Sequence, residues 1–232
     1  MHDTDNEPRA PLSGLLDVEL GRPLTHELLT VVPLLAPTEA ELSYALLLDA
    51  LASGDVLISE VGSGSVPSLL ASNRGDLDVL ILDGEQLIGA KQNRLTNRTI
   101  ILEAKTETVI PVSCMEQGRW HDETQHFRSR PKPRHAPSRV RRKAREVEAL
   151  YAATPSQAGV SILGSAQSDV WREISDVSAD LGVRSSTGAM DEVYDHHSEN
   201  LDEWIAHFPR AEGQVGLLAF LGRRPLGLDV VG

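Results

Sequence analysis

The stretch LDVLILDGEQLIGAKQNRLTNRTIILEAKTETVIPVSCM, residues 77–115, decides the fold. LDVLIL (77–82) ends on the Asp83-Gly84 hairpin signal. QLIGA, RTIILEA (98–104) and ETVIPVSCM (107–115) then supply further aliphatic and β-branched runs, separated by KQNRLTN and by the charged turn at Lys105 and Thr106. Connections this short leave no room for crossover helices, so these strands are expected to pair antiparallel as a meander.

Working outward toward the N-terminus, VLISEV (56–61) reads as another strand and GSGSVPS as a loop. LTHELLTVVPLLA (24–36) reads as one strand, or as two broken near Pro33. Between them Thr38 and Glu41 form a capping box, Leu42, Ala45, Leu46 and Ala50 follow helical spacing, and Gly54 suits the C′ position, so a first helix is expected there. On the other side, SRVRRKAREVEALYAA (138–153) and QSDVWREISDVSADLG (167–182) carry apolar residues at three and four spacing. TGAMDEVYDHHSENLDEWIAHF (187–208) does the same with a break near Ser198 to Asn200, and QVGLLAFLGRRPLGLDVV (214–231) reads as a hairpin turning at Gly222 to Pro225. Strands at both ends with helices between them give an α+β class. The expected architecture is a mixed or antiparallel sheet from the N-terminal meander and C-terminal hairpin, packed with three to four helices and carrying one long basic loop.

Composition bounds the rest. The chain has 232 residues, 41% hydrophobic and 24% charged, with one cysteine, which excludes collagen, a disulfide scaffold and an intrinsically disordered chain. The expected organisation is a flexible tail over residues 1–19 and a single α+β domain over 20–232, with a basic insertion at about 121–138. No stretch reaches the roughly 18 apolar residues of a membrane span. MHDTDNEPRAPLSG lacks the basic and apolar pattern of a secretory signal, so a bacterial-type cytoplasm is the expected location.

The formal net charge is −12, which disfavours nucleic acid as a partner of the whole surface. From Arg119 to Arg145, however, ten basic residues stand against Asp122 and Glu123, so this segment carries +8 and the remainder −20. RSRPKPRHAPSR (128–139) reads as an exposed, mobile loop that can dock on an acidic partner, including a second copy of the acidic body in a homo-oligomer.

Two polar clusters follow apolar strands and carry the candidate chemistry. In GAKQNRLTNR, Lys91, Gln92, Asn93 and Arg94, with Asn97 and Arg98, offer cations and amides suited to a phosphate or pyrophosphate, Arg as a bidentate fork and Lys as a point charge. In IPVSCMEQGRW, Glu116 can accept from ribose hydroxyls or activate a water, Arg119 can pair with phosphate or with Glu116, and Trp120 can stack on a base. Cys114 is a nucleophile only if a nearby base or cation lowers its pKa; otherwise it is a buried small residue. Near-neighbour pairing brings the two clusters to one sheet edge. Neither His121, Asp122, Glu123 and His126 nor Asp191, Asp195, His196, His197 and Glu199 has an established ligand spacing, so no metal site is assigned and no cofactor is identified.

GAKQNR (89–94) and IPVSCMEQGRW (110–120), with QSDVW (167–171), SSTGAM (185–190) and QVGLLAFL (214–221), resemble the ADP-ribosylglycohydrolase and rhodanese-phosphatase associated protein domain family over most of residues 20–232. The resemblance implies the company of ADP-ribose-processing proteins and a nucleotide or ADP-ribose ligand. Lys91, Arg94 and Arg119 would lie on the pyrophosphate, Asn93 and Glu116 on ribose and Trp120 on the base. The alternatives are a hydrolase of ADP-ribose-type substrates with Glu116 as general base, and a scaffold that uses the basic loop.

Overall fold

The computed structural model describes residues 18–36, 44–62, 66–119, 121, 124–130, 134–153 and 160–230. In chain order the strands and helices are β1 (Glu19–Leu20), β2 (Leu24–His26), β3 (Leu29–Leu35), β4 (Tyr44–Leu46), α1 (Leu47–Ser53), β5 (Val56–Glu60), β6 (Ser68–Asn73), β7 (Asp78–Ile81), β8 (Gln86–Leu87), β9 (Arg94–Thr96), β10 (Ile100–Leu102), β11 (Glu107–Cys114), α2 (Ser138–Ala153), α3 (Val160–Asp180), α4 (Met190–His196), α5 (Ser198–Ala206), β12 (Gln214–Leu221) and β13 (Arg224–Val230). The class is α+β, with sheets antiparallel except for the β4–β7 pair, N-terminal strands, a C-terminal hairpin and five helices among the described residues. No helix among those residues is long and apolar enough to cross a membrane.

The chain divides into two compact units, Met1–Leu42 with Ser198–Gly232, and Ser43–His197. In the first, β12 pairs with β3 and β13, while β1 and β2 pair with β3, all antiparallel. Pro33 does not break the strand, because it sits within β3 opposite Leu217 while its carbonyl accepts the Gly21 N–H at 2.7 Å. The chain turns instead at Glu27, whose φ of 49° supplies the left-handed residue of the β2–β3 connection. Leu24, Leu29, Val31 and Leu217 from the sheet and Trp204 and Phe208 from the α5 region line an apolar groove of about 390 Å³.

The second unit holds the five-strand order β5-β6-β11-β9-β8 and a smaller sheet, β10-β7-β4. Two local expectations change here, and one strand is added to them. Tyr44 to Leu46 is a strand parallel to β7, so α1 starts only at Leu47, after a Leu46 with no side-chain cap; Thr38 and Glu41 lie outside the described residues. At its other end Gly54 closes the helix with φ 82°, as its position in the sequence implies. SLLASN (68–73), to which the sequence reading assigns no element, forms β6, and its alternate side chains Leu69, Ala71 and Asn73 are buried. RLT within KQNRLTN is not a connection but β9, every residue of it buried.

Two apolar cores result. Leu47, Val56, Ile58, Leu69, Ile81 and Ile110 belong to one, and Leu95, Met115, Val140, Val147, Val170 and Ile174 to the other, where α2 and α3 pack on the face of the sheet that carries Leu95. Ile58 is fully buried, so Ile58→Ala is expected to cost about 2–5 kcal/mol of unfolding free energy, read as a lower urea midpoint with an unchanged m-value.

Candidate functional site

β9 and β11 are antiparallel neighbours with Arg94 opposite Cys114, which brings the two polar clusters together. They meet in the interior rather than at an open edge, since β8 flanks β9 and β6 flanks β11. Arg94 is completely buried. Its Nη2 lies 3.3 Å from Glu60 Oε1, and its Nη1 donates to the carbonyl and side-chain oxygens of Gln92 at 3.2 and 3.3 Å. Lys91 is half-buried at the turn before it.

A second ring of hydrogen bonds closes around Glu116 and Arg119. Arg119 Nε and Nη2 lie 2.9 and 2.7 Å from Glu116 Oε2; Nη2 also donates to Asn93 Oδ1 at 3.0 Å, and Nη1 to the Ala90 carbonyl at 2.6 Å. The Asn93 N–H donates to the same carboxylate at 3.3 Å, and the Gly89 N–H to Asn93 Oδ1 at 3.1 Å. Gly89 has φ 122°, and a Cβ there would run into the Thr124 hydroxyl, which instead accepts the Ala90 N–H at 3.0 Å. Trp120 lies outside the described residues.

Burial pushes the Glu116 carboxyl up, but hydrogen bonds from Arg119, Thr187 and the Asn93 N–H, together with the Arg119 charge, outweigh it and hold the group below its ordinary value of 4.5. An ionised carboxylate committed to a guanidinium is an acceptor, not a base poised near neutrality. Burial pushes the Cys114 thiol up to about 11 despite the Arg94 charge, so it is a neutral thiol at physiological pH. Cys114 instead serves through its backbone: its N–H donates to Gln167 Oε1 at 3.2 Å, and its carbonyl accepts Gln167 Nε2 at 3.0 Å, which ties the end of β11 to α3.

Beyond Cys114 the chain stays clamped. The Met115 N–H donates to the Asn93 carbonyl at 2.9 Å and the Met190 N–H to the Met115 carbonyl at 3.2 Å. The N–H groups of Gln117 and Gly118 both reach the Thr187 carbonyl, at 3.0 and 2.7 Å. A Cβ on Gly118 would come within 2.9 Å of Thr187 Cα, so only glycine permits this approach. The segments GAKQNR, IPVSCMEQG, QSDVW and SSTGAM thus converge. Gln117 then emerges into a cleft of about 700 Å³ between α3 and the 182–188 loop.

The basic run is also less free than its composition implies. Phe127 and Ala136 are buried, Ile88 and Arg128 exchange backbone hydrogen bonds of 2.8 and 2.9 Å, and the Ala136 N–H donates to the Gly84 carbonyl at 2.9 Å. Arg130 pairs with Asp191 and Asp195, Arg139 with Asp180, and Arg141 and Arg145 with Asp83. The described parts of this loop are therefore docked by apolar anchors and internal ion pairs; residues 131–133 lie outside the described set. Among the described residues no three His, Cys, Asp or Glu side chains converge on a point where a metal could sit.

One perturbed group escapes sequence reasoning altogether. Burial pushes Glu85 up to about 7, partly opposed by the Leu82 N–H that donates to it at 3.1 Å. Nothing in LDGEQ marks it, because desolvation is set by the tertiary surroundings, in which Glu85 is buried and forms a β-bridge with His135.

These shifts have opposite pH signs. Glu116 titrates lower folded than unfolded, so its pairing stabilises fully above about pH 4.5 and fades as the pH falls further. Arg119→Ala should therefore cost about 3–5 kcal/mol at pH 7, a loss that shrinks in denaturation curves below pH 4.5. Glu85 holds its proton more tightly when folded, so stability is lost between about pH 4.5 and 7. Glu85→Gln should then be more stable than the parent by about 3 kcal/mol at pH 8 and equal to it at pH 4.

No curated protein and no solved structure matches the chain. A family model does, over residues 17–232, which takes in all the converging segments. The chain belongs to the family described as the ARG and Rhodanese-Phosphatase-superfamily-associated Protein domain.

Proposed function

We propose that this chain is a ligand-binding domain of NAD or ADP-ribose metabolism, working in a bacterial-type cytoplasm beside ADP-ribose-processing proteins, and that it takes a nucleotide-diphosphate-like ligand. The observation that carries the reading is the rigid polar platform around Glu116 and Arg119, whose outermost residues, Gln117 and Gly118, are exposed next to a cleft of about 700 Å³. That volume lies within the range of small-molecule sites, and a platform whose own hydrogen bonds are satisfied does not rearrange when a ligand arrives.

Binding is favoured over turnover by the same geometry. Glu116 is ionised and held by Arg119, Cys114 is buried as a neutral thiol, and each is engaged in holding the backbone. Arg94 and Arg119 support the ligand indirectly in this reading: both guanidinium groups have protein partners, and their work is to hold the GAKQNR and IPVSCMEQG segments against each other. The basic run does not favour a scaffold role, since Arg130, Arg139, Arg141 and Arg145 are paired within the same unit.

A ligand that binds only the native state raises the unfolding temperature by mass action. Thermal unfolding of the full chain is therefore expected to shift upward with ADP-ribose, less with AMP, and without hydrolysis of the ligand when the sample is followed by ³¹P NMR. Unchanged transitions with ADP-ribose, NAD and AMP alike would overturn the reading.

A further inference from the structure

The cleft beside Gln117 has a definite chemical character. One wall is a single stripe of α3 that runs on into the following turn: Trp171, Ile174, Ser175 and Ser178 recur at three and four spacing and so share a helical face. The opposite wall is the 182–188 loop, where Gly182 and Gly188 both have φ 68° and carry the chain through a tight excursion. Ser185 fixes the loop, donating to Glu192 at 2.8 Å and accepting the Ala189 N–H at 2.8 Å.

Among the described residues Arg184 is the one charged side chain lining this cleft, and it is exposed. Arg130, Arg139, Arg141 and Arg145 each pair with a carboxylate, but no described carboxylate pairs with Arg184. In a protein of net charge −12, a cation left beside hydroxyls and an indole is a place where an anion can be held. Trp171 adds a second indication, because its partly buried indole lines the same cleft and offers a ring face beside the cation.

We infer that this cleft is the ligand site, with Arg184 binding the phosphate oxygens of a diphosphate-bearing ligand and Trp171, with Ile174, forming the wall for its ring. The inference rests on the ligand-binding reading above and moves the direct contacts from the buried Arg94 and Arg119 to residues of α3 and the 182–188 loop. QSDVW and SSTGAM, which touch the buried clusters through Gln167 and Thr187, also supply Trp171 and the loop that follows Arg184.

Calorimetric titration of the full chain with ADP-ribose and with inorganic pyrophosphate tests it. Both are expected to bind. Arg184→Glu, at an exposed loop position, is expected to leave the unfolding transition in place and weaken both ligands about tenfold or more. Trp171→Ala, which removes the ring wall, is expected to weaken ADP-ribose while leaving pyrophosphate unchanged. Wild-type binding of ADP-ribose with the same affinity in Arg184→Glu would overturn the location and leave the binding reading standing. No binding of either ligand to the wild-type chain would overturn both.

Discussion

A carboxylate and a guanidinium that cannot reach bulk water, Glu116 and Arg119, hold together the part of the molecule on which the rest depends. Each is almost fully buried, so neither is tolerable without the other. Their pairing also satisfies Asn93, the Gly89–Ala90 turn and the Thr187 hydroxyl. Three segments far apart in sequence are thereby fixed in one place, and the precision of that placement comes from the cost of leaving any member unpaired. Arg94 and Glu60 repeat the principle one strand away, where a completely buried arginine crosses to the end of β5.

Charge is managed inside the second unit in a related way. The segment from Arg119 to Arg145 concentrates cations that would repel one another if they were solvated together. Asp83, Asp180, Asp191 and Asp195 receive four of them, while Phe127 and Ala136 bury the loop that carries them. Exposed pairs of this kind contribute little each; the loop is held chiefly by its backbone bonds to Ile58, Gly84 and Ile88 and by its apolar anchors. Glu85, bridged to His135 of this loop, is buried, and that burial raises its carboxyl to about 7. Arg184 falls outside this internal accounting, which gives its position beside the cleft meaning.

The sequence by itself determined the α+β class, most of the strands, the long helices α2 and α3, the break between α4 and α5, the terminal hairpin and the adjacency of GAKQNR and IPVSCMEQG. All of these follow from local signals: alternation, helical spacing, Asp83-Gly84, Gly54 and connection lengths too short for a crossover. The tertiary structure alone decided that β6 is a strand, since SLLASN gains its pattern only between β5 and β11, and that RLT is one, since a buried Arg94 requires Glu60 from 34 residues earlier. It also decided that the polar clusters face each other in the interior. The residue types were readable, but whether a guanidinium meets a phosphate or a carboxylate of its own chain depends on partners that only the folded chain brings within 3 Å.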